Sequence, residues 1–217
     1  MTQETIIKLR KYAELLGQAN KKARLTGPSD PSTLFDEHIC DAIAGLPYLP
    51  EGCSFVDIGT GGGLPGLVWC ICRPDTHGVL LDSVRKKIAL LAGIADELGC
   101  KNATPVCMRS EDFARSHREV FGAAVARAVA HARALAEYMS PLVTPGGRLI
   151  AFKGQYAGAE LEVPGSPWEA LGLSMPETYP YSIAGKERLI VVWEKAGKCP
   201  ARYPRRPGDA LKSPWRR

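Results

Sequence analysis

Residues 56–66, VDIGTGGGLPG, carry five glycines and a proline directly after the apolar run SFVDI. That juxtaposition constrains the fold more than any other part of the chain. SFVDI reads as a buried strand, and Leu64, Leu67, Val68 and Ile71 follow with the i, i+3, i+4, i+7 spacing of a helix. A tight turn between a strand and a helix offers main-chain N–H groups and the helix's positive end to a polar or anionic ligand, and Cβ atoms would block the approach. The sequence therefore predicts a strand–loop–helix unit of an α/β protein whose backbone receives a ligand.

Two ligand templates fit this loop. Residues 61–66, GGGLPG, match the GxGxxG of dinucleotide folds, and residues 57–63, DIGTGGG, match the DxGxGxG of S-adenosylmethionine enzymes. The dinucleotide fingerprint begins where its strand ends, whereas its first glycine here falls three residues beyond Ile58. The second template begins on the strand and puts Asp57 at the strand's carboxyl edge, within reach of a cofactor's amino group directly or through water. Asp82 closes the next apolar run, GVLLDS, in the position from which a carboxylate accepts both hydroxyls of an adenosine ribose. Alternatively, Asp82 caps the helix that follows.

The remaining segments alternate in the same way. Ile6, Leu9, Ala13 and Leu16 predict one helix and TLFDEHICDAIAGL a second, together an N-terminal helical cap over residues 1–49. Val84, Ile88, Leu91, Ala95 and Leu98 mark one face of a helix that Ser83 caps and Gly99 ends. NATPVCM, AAVARA, GGRLIAF and RLIVVWEK read as strands, with HARALAEYMSPL as a helix before GGRLIAF. Strands alternating with helices predict a parallel sheet covered on both faces, here a core over residues 50–195 without an internal boundary. Residues 196–217 form a Pro- and Arg-rich tail.

Composition restricts the setting. A chain of 217 residues, 45% hydrophobic and 24% charged, suits one globular domain with a substantial core. The amino terminus interleaves charged with apolar residues, and the longest apolar stretch, 67–72, is too short for a bilayer, so neither leader nor membrane anchor is expected. Seven scattered cysteines without a CxxC pair predict a reduced, cytoplasmic protein with no disulfide framework and no metal site. The net charge of +5 is concentrated at one end: from Lys195 onward eight cations face Asp209 alone. Such a tail suits a polyphosphate backbone or serves as a solubilising segment.

The string from VDIGTGGGLPG through RPD and LLDS, with RSEDF, VARAVA and FKGQ further on, resembles the small-subunit ribosomal RNA guanine-N7 methyltransferase family, historically called glucose-inhibited division protein B. The likeness spans residues 34–155. It implies a Rossmann-like class I S-adenosylmethionine-dependent methyltransferase: a mostly parallel, doubly wound sheet with an antiparallel final strand. It further implies Gly59, Gly61 and Leu64 on the methionine side of the cofactor, Asp82 on the ribose, and Ser110 with Glu111 on the adenine. Arg127 and Lys153 are implied at two strand ends that open into the site, Arg109 beside cofactor or RNA, and Arg205 and Arg206 on RNA or over the cofactor. His38 and Asp41 resemble the family's histidine-to-aspartate helix. The chain departs from the family at Ala19, Arg24, Gly122 and Ala126, changes expected to bear on RNA contacts more than on the cofactor loop.

Arg127 and Lys153 each follow an apolar run, and long cations at a strand end suit phosphate or guanine O6, with an ion pair to a neighbouring acid as the alternative. The implied partner is 16S ribosomal RNA or the small ribosomal subunit, met by a monomer. Guanine N7 has a lone pair and no proton, so its methylation requires alignment rather than a general base. Methylation of another RNA or a small molecule, nicotinamide chemistry, and an RNA-binding assembly role without turnover are the competing readings.

Overall fold

The computed structural model of the chain describes residues 1–162 and 167–212. Helix α1 (Gln3–Asn20) starts where the Thr2 hydroxyl accepts the Thr5 N–H, and its Leu9, Tyr12, Ala13 and Leu16 form one buried face. The second expected helix is a composite: α2 (Pro31–Thr33), a π-helical turn over Leu34–Ile39, and α3 (Cys40–Ala44). Asp30 caps it by accepting the Thr33 N–H.

The core follows as β1 (Ser54–Ile58), α4 (Gly66–Cys72), β2 (His77–Asp82), α5 (Arg85–Glu97), β3 (Ala103–Cys107), α6 (Ser110–Ser116), β4 (Phe121–Arg127), α7 (Ala132–Met139), β5 (Val143–Gly154), α8 (Gly158–Leu161), β6 (Glu177–Ile183) and β7 (Lys186–Glu194). A short α9 (Asp209–Lys212) follows in the tail. Seven strands form one sheet in the order β3-β2-β1-β4-β5-β7-β6. β1 to β5 are parallel, and β7 runs antiparallel to both of its neighbours, as the resemblance implied.

Period-two alternation divides the sheet between two helical layers. Phe55, Leu80, Val125, Ile150 and Val192 face the layer that includes α1, α3, α4 and α5. Val56, Leu81, Ala124, Leu149, Val191 and Trp193 face α6, α7 and the carboxy-terminal segment. Burial on both faces explains why β1 reads as an unbroken apolar run. The chain reverses its order of winding between β1 and β4, and open α/β sheets bind ligands beyond the carboxyl ends of strands at such a reversal.

Four details differ from the sequence-based expectation. α4 begins at Gly66 rather than Leu64, after the loop has turned. Val84, not Ser83, occupies the N-cap position of α5, and its N–H donates to Asp82 Oδ1 at 2.9 Å. α6 and the edge strand β6 were not anticipated. Gly122 lies at the amino end of β4, where a Cβ would come within 2.8 Å of the Cys53 side chain, so this departure from the family is a packing feature at the opposite end of the strand from Arg127. All seven cysteines are free, and none of the described helices is long and apolar enough to cross a membrane.

Candidate active site

The glycine loop is shaped from beneath by Asp57. This carboxylate is fully buried, and its Oδ2 accepts the Thr60 hydroxyl at 2.7 Å and the Gly66 N–H at 2.8 Å. Gly66 has no room for a side chain, because a Cβ would stand 2.7 Å from that same oxygen. Burial pushes the Asp57 pKa up to about 6 against the pull of those two hydrogen bonds. Asp57 thus braces the turn, and it lines neither crevice described below.

From above, α1 holds the same loop. The Tyr12 hydroxyl donates to the Gly62 carbonyl at 2.8 Å, and Leu16 packs where a Gly62 Cβ would lie. Asn20 at the end of α1 accepts the Leu25 and Thr26 N–H groups at 2.7 and 3.0 Å, bringing that loop over Gly61. Gly59 and Gly61 have φ values of 70° and 56°, a region that favours glycine. Added Cβ atoms there would stand 2.7 Å from Val129 and 2.9 Å from the Leu25 carbonyl. All five glycines of the loop thus make room for neighbouring protein atoms, and Gly59 and Gly61 also border a crevice.

Two adjoining crevices lie at the carboxyl edge of the sheet and share Gly59 in their linings. The larger, about 660 Å³, is lined by Gly59, Gly61, Leu64, Arg127 and Lys153 among others. The smaller, about 360 Å³, is lined by Asp82, Arg109, Ser110, Glu111, Met108 and Val129 among others. Gly59, Lys87 and Ala128 border both. Asp82, the last residue of β2, accepts the Gly61 N–H through Oδ2 at 3.1 Å and the Val84 N–H through Oδ1. Its capping role and its place at the crevice coexist, since each carboxylate oxygen has a further lone pair. Ser110 donates to Glu111 Oε2 at 3.1 Å, and Glu111 Oε1 accepts the Gly208 N–H at 3.1 Å.

The two expected strand-end cations line the larger crevice, and both are ion-paired. Arg127 Nη1 donates to Asp41 Oδ2 at 3.0 Å and to the His38 carbonyl at 3.4 Å, while Tyr181 donates to the other Asp41 oxygen at 2.6 Å. Burial, then the Arg127 charge, holds His38 below the usual histidine pKa. Lys153 Nζ donates to the Ala130 carbonyl at 2.7 Å and Glu160 Oε2 at 2.6 Å, and Glu160 also accepts the Ala132 N–H at 2.8 Å. Lys153 lies inside β5, one residue before its end.

The Arg205 guanidinium is turned inward, donating to both oxygens of the buried Glu137 at 2.6–3.1 Å, and so docks the tail. Arg206 and Arg109 are exposed. Arg216 and Arg217 lie outside the described residues. Sequence reasoning missed Lys87, which borders both crevices, and Arg188 and Tyr181, which line the larger one. The cations Arg85, Lys86 and Lys87 in the first turn of α5, with no acid beside them, were the signal for the first, because they run against the helix dipole.

These residues fit S-adenosylmethionine. Two crevices meet at Gly59, the smaller carrying Asp82 with Met108 and Val129 on its rim and the larger carrying Gly61, Leu64, Arg127 and Lys153. Residues 5–187 match the GidB family, described as rRNA small subunit methyltransferase G. The chain belongs to that family. Curated relatives carrying the name "Ribosomal RNA small subunit methyltransferase G" include one from Carboxydothermus hydrogenoformans, 36% identical over 98% of this chain and 92% of its own. Another, from Clostridium novyi, is 35% identical over 94% of this chain and 86% of its own. Among solved structures, a SAM dependent methyltransferase from Aquifex aeolicus superimposes with a TM-score of 0.53 at 13% identity, covering 82% of this chain and 97% of its own. A precorrin-6y C5,15-methyltransferase from Geobacter metallireducens gives 0.56 at 10% identity, covering 80% and 92%. At such identities the likeness concerns the fold alone. The rRNA small subunit methyltransferase G family and the Rossmann-like sheet thus agree with the residues at the crevice.

Proposed function

We propose that this protein transfers the methyl group of S-adenosylmethionine to N7 of a guanine in 16S ribosomal RNA. The observation that carries the reading is the pair of crevices that meet at Gly59, with Asp82 in one and Gly61, Arg127 and Lys153 in the other, in a chain matched to its family over residues 5–187. The cofactor supplies an electrophilic methyl group on a sulfonium. Everything else falls to positioning by the chain's own groups.

In this assignment Gly59, Gly61 and Leu64 border the methionine portion, Asp82 accepts the ribose hydroxyls, and Ser110 and Glu111 form the adenine end. Arg127 uses Nη1 for Asp41 and His38, which fixes the guanidinium and leaves Nη2 and Nε for the RNA. Lys153 commits two donors to Ala130 and Glu160 and retains a third. Both cations are assigned to phosphate anchoring, because a cation on O6 would withdraw electron density from N7. Arg24, Lys87 and Arg188 add positive charge around the same crevice. A base paired in RNA structure must leave its stack to enter, and single-stranded loops reduce that cost. The same reading has the protein acting in the cytoplasm as a monomer, with Arg109 and Arg206 as outer RNA contacts.

The test is to map N7-methylguanine in 16S RNA from cells with and without the gene, then to restore it with purified protein and S-adenosylmethionine on undermethylated small subunits. One guanine should lose and regain the mark. An unchanged methylation map would exclude the proposed reaction.

A further inference from the structure

Nine large apolar side chains are exposed among the described residues, and four of them, Val84, Met108, Val129 and Leu211, line the one smaller crevice. The first three come from the turns after β2, β3 and β4, which bound any ligand site at this edge of the sheet. Leu211 has a different origin. It belongs to α9 in the tail, 59% exposed, while its neighbour Ala210 is buried at 1% and seats the helix.

Four anchors hold the segment that delivers Leu211. Arg118 donates to the carbonyls of Cys199, Pro200 and Tyr203 at 2.5–2.9 Å. Glu119 Oε1 accepts the Cys199 N–H at 2.7 Å. Glu137 receives both the main-chain N–H and the guanidinium of Arg205, and Glu111 receives the Gly208 N–H. The last anchor joins the tail to the same carboxylate that borders the crevice. Cys199, Tyr203 and Ala210 are buried in the core layer beneath α7. Such fixation of a loop-like segment exceeds what a solubilising tail needs, and it leaves one apolar side chain on the rim of a polar-floored pocket.

We propose that residues 199–212 are a built wall of the cofactor site, in which Leu211 covers the nucleobase, and Glu137 with Arg205 acts as a positioning pair that holds Leu211 there. This rests on the cofactor lying in the crevice as assigned above. An aromatic base between Val129, Met108 and Leu211 would remove from water apolar surface that these side chains now expose. The tail's basic character then serves docking at Arg205, and its outward cations remain available for RNA.

The test is calorimetric titration of the full-length protein with S-adenosylhomocysteine and with adenosine, comparing Leu211→Ala, Leu211→Asp, Glu137→Gln and Arg205→Lys. Because Leu211 is exposed, its variants should keep the wild-type melting temperature without ligand. Leu211→Ala is expected to weaken both ligands about three- to tenfold, the loss of a few buried methyl and methylene groups, and Leu211→Asp more. Arg205→Lys should fall between wild type and Glu137→Gln in affinity. Amide exchange over residues 203–212 should slow when S-adenosylhomocysteine is added to wild type and not to Leu211→Asp. Affinities within twofold of wild type for both Leu211 variants, with Asp82→Ala defective, would overturn the wall while leaving the cofactor's position intact. If Asp82→Ala also binds normally, the position itself fails and the wall with it.

Discussion

Arg127 at the end of β4 and Asp41 on α3 meet at 3.0 Å, 86 positions apart in sequence, and Tyr181 from the edge strand donates to the second Asp41 oxygen. The helical cap, the parallel core and the edge hairpin are thereby joined at one carboxylate beneath the larger crevice.

Removing that carboxylate should leave Arg127 partly buried without its counter-charge. Asp41→Asn is expected to cost about 2–4 kcal/mol of stability, toward the range for breaking a buried pair, and to lower the methyl-transfer rate by more than it changes S-adenosylhomocysteine affinity. Tyr181→Phe removes one hydrogen bond and should cost about 1 kcal/mol. Denaturant melts and single-turnover rates on small subunits check both, and an Asp41→Asn enzyme with wild-type rates would remove Arg127 from the anchoring role.

Lys153→Ala should depress methyl transfer far more than cofactor affinity, since Lys153 lines the crevice assigned to the target. The variant also leaves Glu160 without its cation, although the Ala132 N–H still bonds it. Equal losses in rate and in affinity would contradict the assignment.

Besides the ribose role proposed for it, Asp82 supports the loop through the Gly61 N–H. Asp82→Ala should therefore weaken S-adenosylhomocysteine by about 10- to 100-fold, the scale of hydrogen bonds to a charged acceptor. Calorimetry is the measurement, and unchanged affinity would place the ribose elsewhere.

Asp57 gives a pH signature. Burial lifts its folded pKa to about 6, above the unfolded value, so the native state retains this proton over a range where the unfolded chain has released it. Its contribution therefore destabilises the fold increasingly from about pH 4 to about pH 6, by about 3 kcal/mol in all, and is level above that. Asp57→Asn keeps one oxygen for Thr60 and Gly66 and lacks this slope. Stability of the variant relative to wild type should climb between pH 4 and pH 7, and a flat difference would show that Asp57 is not buried as a charge.

The features legible in the sequence were those fixed by local periodicity or by backbone demand. The glycine loop, the buried strands flanking it and Asp82 at the end of β2 all belong to this class. β6 was not legible because ETYPYSI has no apolar run: it is an edge strand in which no residue is fully buried. The direction of Arg205 was equally hidden: a basic tail reads as outward-facing until Glu137, 68 positions earlier, is seen buried beneath it. Ion pairs such as Arg127–Asp41 depend on topology, and no spacing rule encodes them.

The bond from the Tyr12 hydroxyl to the Gly62 carbonyl spans 50 positions. Through it, helix α1 becomes part of the mechanical support of the glycine loop. Fraying of that helix would loosen Gly61 and its neighbours, so substitutions along its outer surface, remote from any ligand, would register as changes in how tightly the methyl donor is gripped.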